Sequence, residues 1–109
     1  MVEPARVLEH FVQPPPTVRG VACRAPSEEA LDVLLKGAAR IVRVSEGEVA
    51  EAMRALHADT HNMAESAGAV GLAGLMAERE RMRGRRVGVI LSGGNVDAAI
   101  FAKVLEGTL

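Results

Sequence analysis

The chain has 109 residues, 49% hydrophobic but only 2% aromatic, and its 13 basic and 14 acidic side chains give a formal net charge of -1. That length allows one small domain, and a 25% charged fraction with abundant Ala, Val and Leu argues against disorder. Near-zero net charge argues against tight nonspecific binding to nucleic acid, and without Trp or Tyr the aromatic platforms that stack single strands are missing.

Residues 1–27 carry all five prolines: Pro4, Pro14, Pro15, Pro16 and Pro26. Three successive prolines fix φ and remove three backbone donors, so neither a helix nor a central strand continues through them. The run from 7 to 12 is compatible with a short helix or an edge strand, and the run from 18 to 23 leans towards β structure but is interrupted by Gly20. This first segment is therefore expected to be loosely structured, with residues 28–109 forming an α/β segment.

Ser27, Glu28 and Glu29 read as a helix start, a hydroxyl cap followed by acids in the first turn. Ala30, Leu31, Leu34 and Leu35 give that helix an apolar face, and Gly37 suits its end. Residues 39–44 are rich in β-branched side chains and predict a strand. Ser45, Glu46, Gly47 and Glu48 then match a capping box, flanked by Val44 and Val49 at the positions of a hydrophobic staple. A helix from 46 to about 60 follows, with Val49, Met53 and Leu56 on one face. A second helix is expected from near 65 to 82. Within it Gly68, Gly71 and Gly74 recur every third residue, each costing roughly 1 kcal/mol relative to Ala. That cost implies a helix whose backbone approaches another element or a ligand closely. Arg79, Arg81 and Arg83 suit the negative helix end before Gly84. The apolar run 87–91 predicts a strand buried on both faces, followed by a Gly-rich turn at 92–95 and a helix from 96 to 105. Strand, Gly-rich turn and helix are the grammar of an α/β protein, whose ligands sit beyond the carboxyl ends of strands.

A single cysteine, Cys23, excludes an internal disulfide. No basic segment leading into an apolar run marks a secretory signal, and the uncharged stretch 67–77 is too short to span a bilayer. A cytoplasmic protein without membrane or nucleic-acid partners is the expectation.

The 92–95 turn is the first place to look for chemistry. Successive glycine amides at a helix start can cradle an anion, and Ser92 and Asn95 add neutral hydrogen-bonding groups. The plainer alternative is a tight turn whose glycines only permit unusual φ. Neither the Gly-Lys-Ser/Thr ending nor the dinucleotide spacing is present. His57, His61 and Glu65 fall at i, i+4 and i+8, a spacing that suits a metal. The residue after His57 is Ala58, not a general base, and Ser66 and Gly68 suggest a helix break before Glu65, so surface polar residues are the preferred reading and no metal is assigned. Arg24 beside Cys23 could favour a thiolate, but no partner base is identifiable, and a small half-buried residue is the preferred reading. The five Arg and two Glu between 78 and 86 read as a solvated helix end, with a phosphate-binding patch as the sharper alternative.

Taken together, Glu65-Ser66-Ala67-Gly68-Ala69, the Ala/Gly/Leu-rich helix after it, and Val87-Gly88-Val89-Ile90-Leu91-Ser92-Gly93-Gly94-Asn95-Val96-Asp97 resemble the C-terminal part of threonine/serine dehydratases. These are pyridoxal-phosphate enzymes of the tryptophan synthase β-like group. Their pattern is an acid followed by Pro/Gly/Ser-Ala-Gly-Ala, and later Leu-Ser-Gly-Gly-Asn. Val44-Ser45 with Glu48-Val49 is similar to the family's preceding strand-to-helix junction, and 18–26 more loosely to an upstream segment in which Arg19 stands where an acid is usual.

The resemblance implies a partial three-layer domain with few strands and flanking helices. It implies pyridoxal phosphate as cofactor, with Ser92 hydrogen-bonded to the pyridine nitrogen, Gly93, Gly94 and Asn95 shaping the turn, and Glu65 beside the ring. In the full enzymes a Schiff-base lysine allows loss of the β-hydroxyl, yielding a 2-oxo acid and ammonia. That lysine belongs to a Ser-Phe-Lys-x-Arg-Gly-Ala-type motif that these 109 residues do not contain, nor do they contain the phosphate-gripping glycine loop. Lys36 shares two letters of that motif but lacks the hydroxyl and aromatic residues before it, and reads as surface. No catalytic residue is assigned, and the cofactor is not expected to be bound covalently by this chain. The expectation is one wall of a cofactor site, in a homo-oligomer or with a complementing chain that covers its apolar faces. The alternatives are a subunit of a split pyridoxal-phosphate lyase, or a small anion- or amino-acid-binding or regulatory module.

Overall fold

Between Val44 and Leu109 the chain packs three helices around a small apolar core. The computed structural model describes residues 27–109, in which the helices are α1 (Glu28–Gly37), α2 (Glu46–Thr60), α3 (Ser66–Ala77) and α4 (Ala98–Glu106). Helix α1 belongs to a separate unit, Met1–Arg43. The expectations for Cys23, the proline-rich stretch and the runs at 7–12 and 18–23 lie outside the described residues.

Each helix begins where its cap chemistry dictates. The Ser27 hydroxyl accepts from the Ala30 amide at 3.5 Å and starts α1, and Lys36 pairs with Asp32 one turn back at 2.6 Å. That exposed pair adds little stability, and α1 buries none of its own residues. At α2 the capping box is complete. The Glu48 amide donates to the Ser45 hydroxyl at 3.2 Å, and the Ser45 amide donates to the Glu48 carboxylate at 2.6 Å. Val49 is buried and Val44 packs against the same cluster, closing the staple. Helix α2 ends at His61, whose φ of 57° is left-handed, and its amide donates to the His57 carbonyl.

Helix α3 packs on α2, and α4 completes the layer. Val49, Ala50, Ala52 and Met53 of α2 meet Ala69 and Ala73 of α3 and Phe101 and Val104 of α4. Among the described residues five of the nine buried apolar ones are alanine, so the helices approach closely while each contact buries little area. Phe101 therefore supplies the bulk, and the His57 ring meets it edge-on with centroids 5.5 Å apart. Arg54 reaches across to donate to the Val104 carbonyl at 3.0 Å, tying α2 to the last turn of α4.

Three expectations need correction. Residues 39–44 and 87–91 do not form strands, and no strand occurs among the described residues. A strand exists only when another supplies its ladder. Among the described residues the run 87–91 has no such neighbour, and in place of burial on both faces it leaves Val87 43%, Val89 42%, Ile90 82% and Leu91 40% exposed. The third correction concerns α3, which stops at Ala77 instead of continuing to 82; 78–84 form turns that end at Gly84, with φ of 76°. Beyond Ala77 only Met82 offers apolar surface among charged side chains, so packing no longer supports the helix. No helix among the described residues is long and apolar enough to cross a membrane.

Candidate functional site

The Gly-rich segment 92–95 lies between the run 87–91 and α4, and it is gripped from the loop that joins α2 to α3; neither Gly93 nor Gly94 takes a positive φ, so unusual backbone angles do not explain these glycines. The Glu65 amide donates to the Gly93 carbonyl at 3.1 Å, although the two residues are far apart in sequence. The Glu65 carboxylate fills the space that a β-carbon of residue 93 would need. One residue on, the Met63 carbonyl oxygen lies 2.5 Å from where a β-carbon of residue 94 would be. A β-carbon on buried Gly68 would run into the Gly93 carbonyl oxygen and come within 3.2 Å of its nitrogen. Downstream, the Val96 amide bonds the Gly94 carbonyl at 3.0 Å and Val96 packs against the core.

The close approach implied by the 68/71/74 glycines is thus real at one end of the series and absent at the other. Gly68 meets the turn, and Gly71 has the Val89 β-carbon at an ordinary 3.5 Å from its own β-carbon position. At Gly74 the corresponding space is open to at least 4 Å. The contact at Met63 had no signal in the sequence, because it uses a main-chain carbonyl that any residue could supply.

The five residues singled out from the sequence therefore meet at one place. Glu65 touches Gly93, and Gly94 follows on the Met63 carbonyl; Ser92 and Asn95 flank the pair. The side chains of Ser92 and Asn95 are exposed and have no hydrogen-bond partner among the described residues. Glu65 is the N-cap of α3 without a side-chain cap bond, which places its carboxylate at the positive end of that helix. His57, His61 and Glu65 do not share a helical face, because the chain turns at His61. Among the described residues no cluster of His, Cys, Asp and Glu is built to hold a metal.

The pattern of the pyridoxal-phosphate dependent enzymes matches residues 2–93, most of the chain and all of the Glu65-to-Gly93 junction. The chain belongs to this family. Its relatives include an L-threo-3-hydroxyaspartate ammonia-lyase from a Pseudomonas species, 31% identical over 90% of this chain and 31% of the relative. An L-threonine ammonia-lyase from Thermotoga maritima is 30% identical over 84% of this chain and 23% of its own. A Sinorhizobium fredii protein named for threonine dehydratase is 39% identical over 63% and 21% respectively. The resemblance read from the two glycine-containing motifs is thus confirmed, and the chain spans between a fifth and a third of the length of these relatives.

Membership brings two consequences. The family implies an α/β fold, of which the described residues hold a helical part, and its cofactor is pyridoxal phosphate. At the turn, Ser92 and Asn95 present a hydroxyl and a carboxamide, both neutral and both exposed. At 68, 93 and 94 the space a β-carbon would need is taken by the protein's own atoms, so a glycine at each position suits the packing of this segment.

Proposed function

We propose that this chain forms the ring-side wall of a pyridoxal-phosphate site of threonine-dehydratase type and is not catalytic by itself. The observation that carries the reading is the Glu65–Gly93 hydrogen bond, which joins the two motif segments and leaves Ser92 and Asn95 free to meet a ligand. The cofactor, when bound, supplies the electron sink for elimination from an amino acid. In that arrangement the Ser92 hydroxyl would donate to the pyridine nitrogen, which then need not be fully protonated. Asn95 would help to shape the turn around that contact, and Glu65, which holds the turn, would lie beside the cofactor pocket. The substrate class is a β-hydroxy amino acid, as the names of the relatives suggest. Neither the lysine motif nor the phosphate loop is present in these 109 residues, so both come from elsewhere in the complete site.

The exposed run 87–91 supports a second element of the proposal: in the working assembly it becomes a strand of a three-layer α/β domain, beside strands from a complementing chain or another copy. Sedimentation at micromolar concentration is then expected to show a species heavier than 11.5 kDa, and a lone monomer counts against a homo-oligomer. The cofactor assignment is tested with pyridoxine 5′-phosphate, which keeps the ring nitrogen but has no aldehyde to condense with Lys36 or Lys103. Titration of the chain should give a saturable response that Ser92→Ala weakens. Equal affinity in Ser92→Ala and wild type refutes the role given to that hydroxyl.

A further inference from the structure

We propose that Gly68 is a positioning residue for Ser92 and Asn95: its missing β-carbon lets the first turn of α3 seat the Gly93 peptide, and this contact sets where both side chains stand. Only the ligand part of this inference rests on the function proposed above.

The contact is between main-chain groups on one side and a β-carbon position on the other, so no side-chain rotation relieves it. A methyl group at 68 must displace Gly93 by roughly 1 Å to restore an ordinary contact. Such a movement breaks the bond from the Glu65 amide to the Gly93 carbonyl, because that amide belongs to the same helix start. Sliding of the segment is resisted downstream, where the Val96 amide bonds the Gly94 carbonyl and Val96 packs against the core. Ser92 and Asn95, on either side of the displaced pair, are carried with it. The rest of the glycine series sharpens the assignment. A β-carbon is tolerated at 71 and meets nothing at 74, so the helix as such does not require glycine; the turn requires it at 68.

The test uses the full chain labelled with nitrogen-15 and carbon-13, as wild type, Gly68→Ala and Gly74→Ala. In Gly68→Ala the amide signals of 92–95 should move and the Glu65 amide should exchange about tenfold faster, the equivalent of one lost hydrogen bond. The methyl signals of Val49, Met53 and Val104 should stay in place. Gly74→Ala should leave all of these unchanged. Half-saturation by pyridoxine 5′-phosphate, read at Ser92, should need about tenfold more ligand in Gly68→Ala than in wild type or Gly74→Ala, as expected when a binding group leaves its geometry. A general loss of packing would instead move the core methyl signals. If wild-type Ser92 does not respond to the ligand, the cofactor reading fails, while Glu65 exchange and the 92–95 signals still decide the positioning role. Unchanged Glu65 exchange and unchanged 92–95 signals in Gly68→Ala overturn it. Should Gly68→Ala not fold, the nuclear Overhauser contact between the Gly68 α-protons and the Gly93 amide in wild type decides, and its absence overturns the proposal.

Discussion

Replacing Phe101 tests whether α4 is docked, and with it the downstream anchor of the 92–95 turn. Phe101 is 5% exposed in a core otherwise made largely of alanine. Truncation of a buried phenylalanine costs about 3–5 kcal/mol. A unit the size of Val44–Leu109 has roughly 3–10 kcal/mol to lose. Phe101→Ala should therefore remove most of its stability, whereas Phe101→Leu, which keeps most of the volume, should cost about 1 kcal/mol. Ile100 is the control: it is 43% exposed on the same helix, so Ile100→Ala should change stability by under about 1 kcal/mol. With neither Trp nor Tyr in the chain, urea unfolding is best followed by far-ultraviolet circular dichroism. The unfolding midpoint should fall steeply in Phe101→Ala, slightly in Phe101→Leu and hardly in Ile100→Ala, with similar slopes for all variants that fold. Equal midpoints for Phe101→Ala and Ile100→Ala would refute the packing of α4 against α2.

Other substitutions probe separate links. Ser45→Ala should cost about 1 kcal/mol and Ser45→Asp much less, since a carboxylate can still cap α2; thermal unfolding reads the difference. Gly74→Ala should raise stability by about 1 kcal/mol, because the added methyl meets open space in a helix interior, and a drop in the thermal midpoint would contradict that. Ile90→Lys should reduce binding of a hydrophobic dye to the isolated chain without loss of helical signal, because Ile90 is 82% exposed; a collapse of the helical signal would mean that the run 87–91 is already covered.

The helices were legible in the sequence to the extent that their signals are local. The Ser45–Glu48 pattern contains both halves of a capping box within four residues, and α2 begins there. Gly37 closes α1, whereas no such stop marks Ala77, where α3 ends because apolar surface runs out. The runs 39–44 and 87–91 failed as strands for the opposite reason. Their β-branched composition records burial against segments distant in the sequence, which the described residues do not supply. At the site, the glycine repeat announced a close approach but not its partner. The three-residue spacing does not separate Gly68, which meets Gly93, from Gly74, which meets nothing; only the Glu65–Ala69 motif sets Gly68 apart. The neutral Ser92–Asn95 pair was recognisable by type and by resemblance, while the main-chain bond from Glu65 became visible only once α3 was in place.

The seat of Gly93 on the start of α3 also has an evolutionary consequence. Positions 68 and 94 face main-chain atoms, of Gly93 and Met63, that no side-chain rotation can move, so neither gains a side chain without a backbone shift, whereas 93 faces only the flexible end of Glu65. A descendant that acquires a side chain at 68 must lengthen or reshape the loop bearing 93 in the same lineage, or lose the junction. Inheritance at this corner should come in blocks: an α3 start transplanted from a relative should be accepted only together with its own Gly-rich turn.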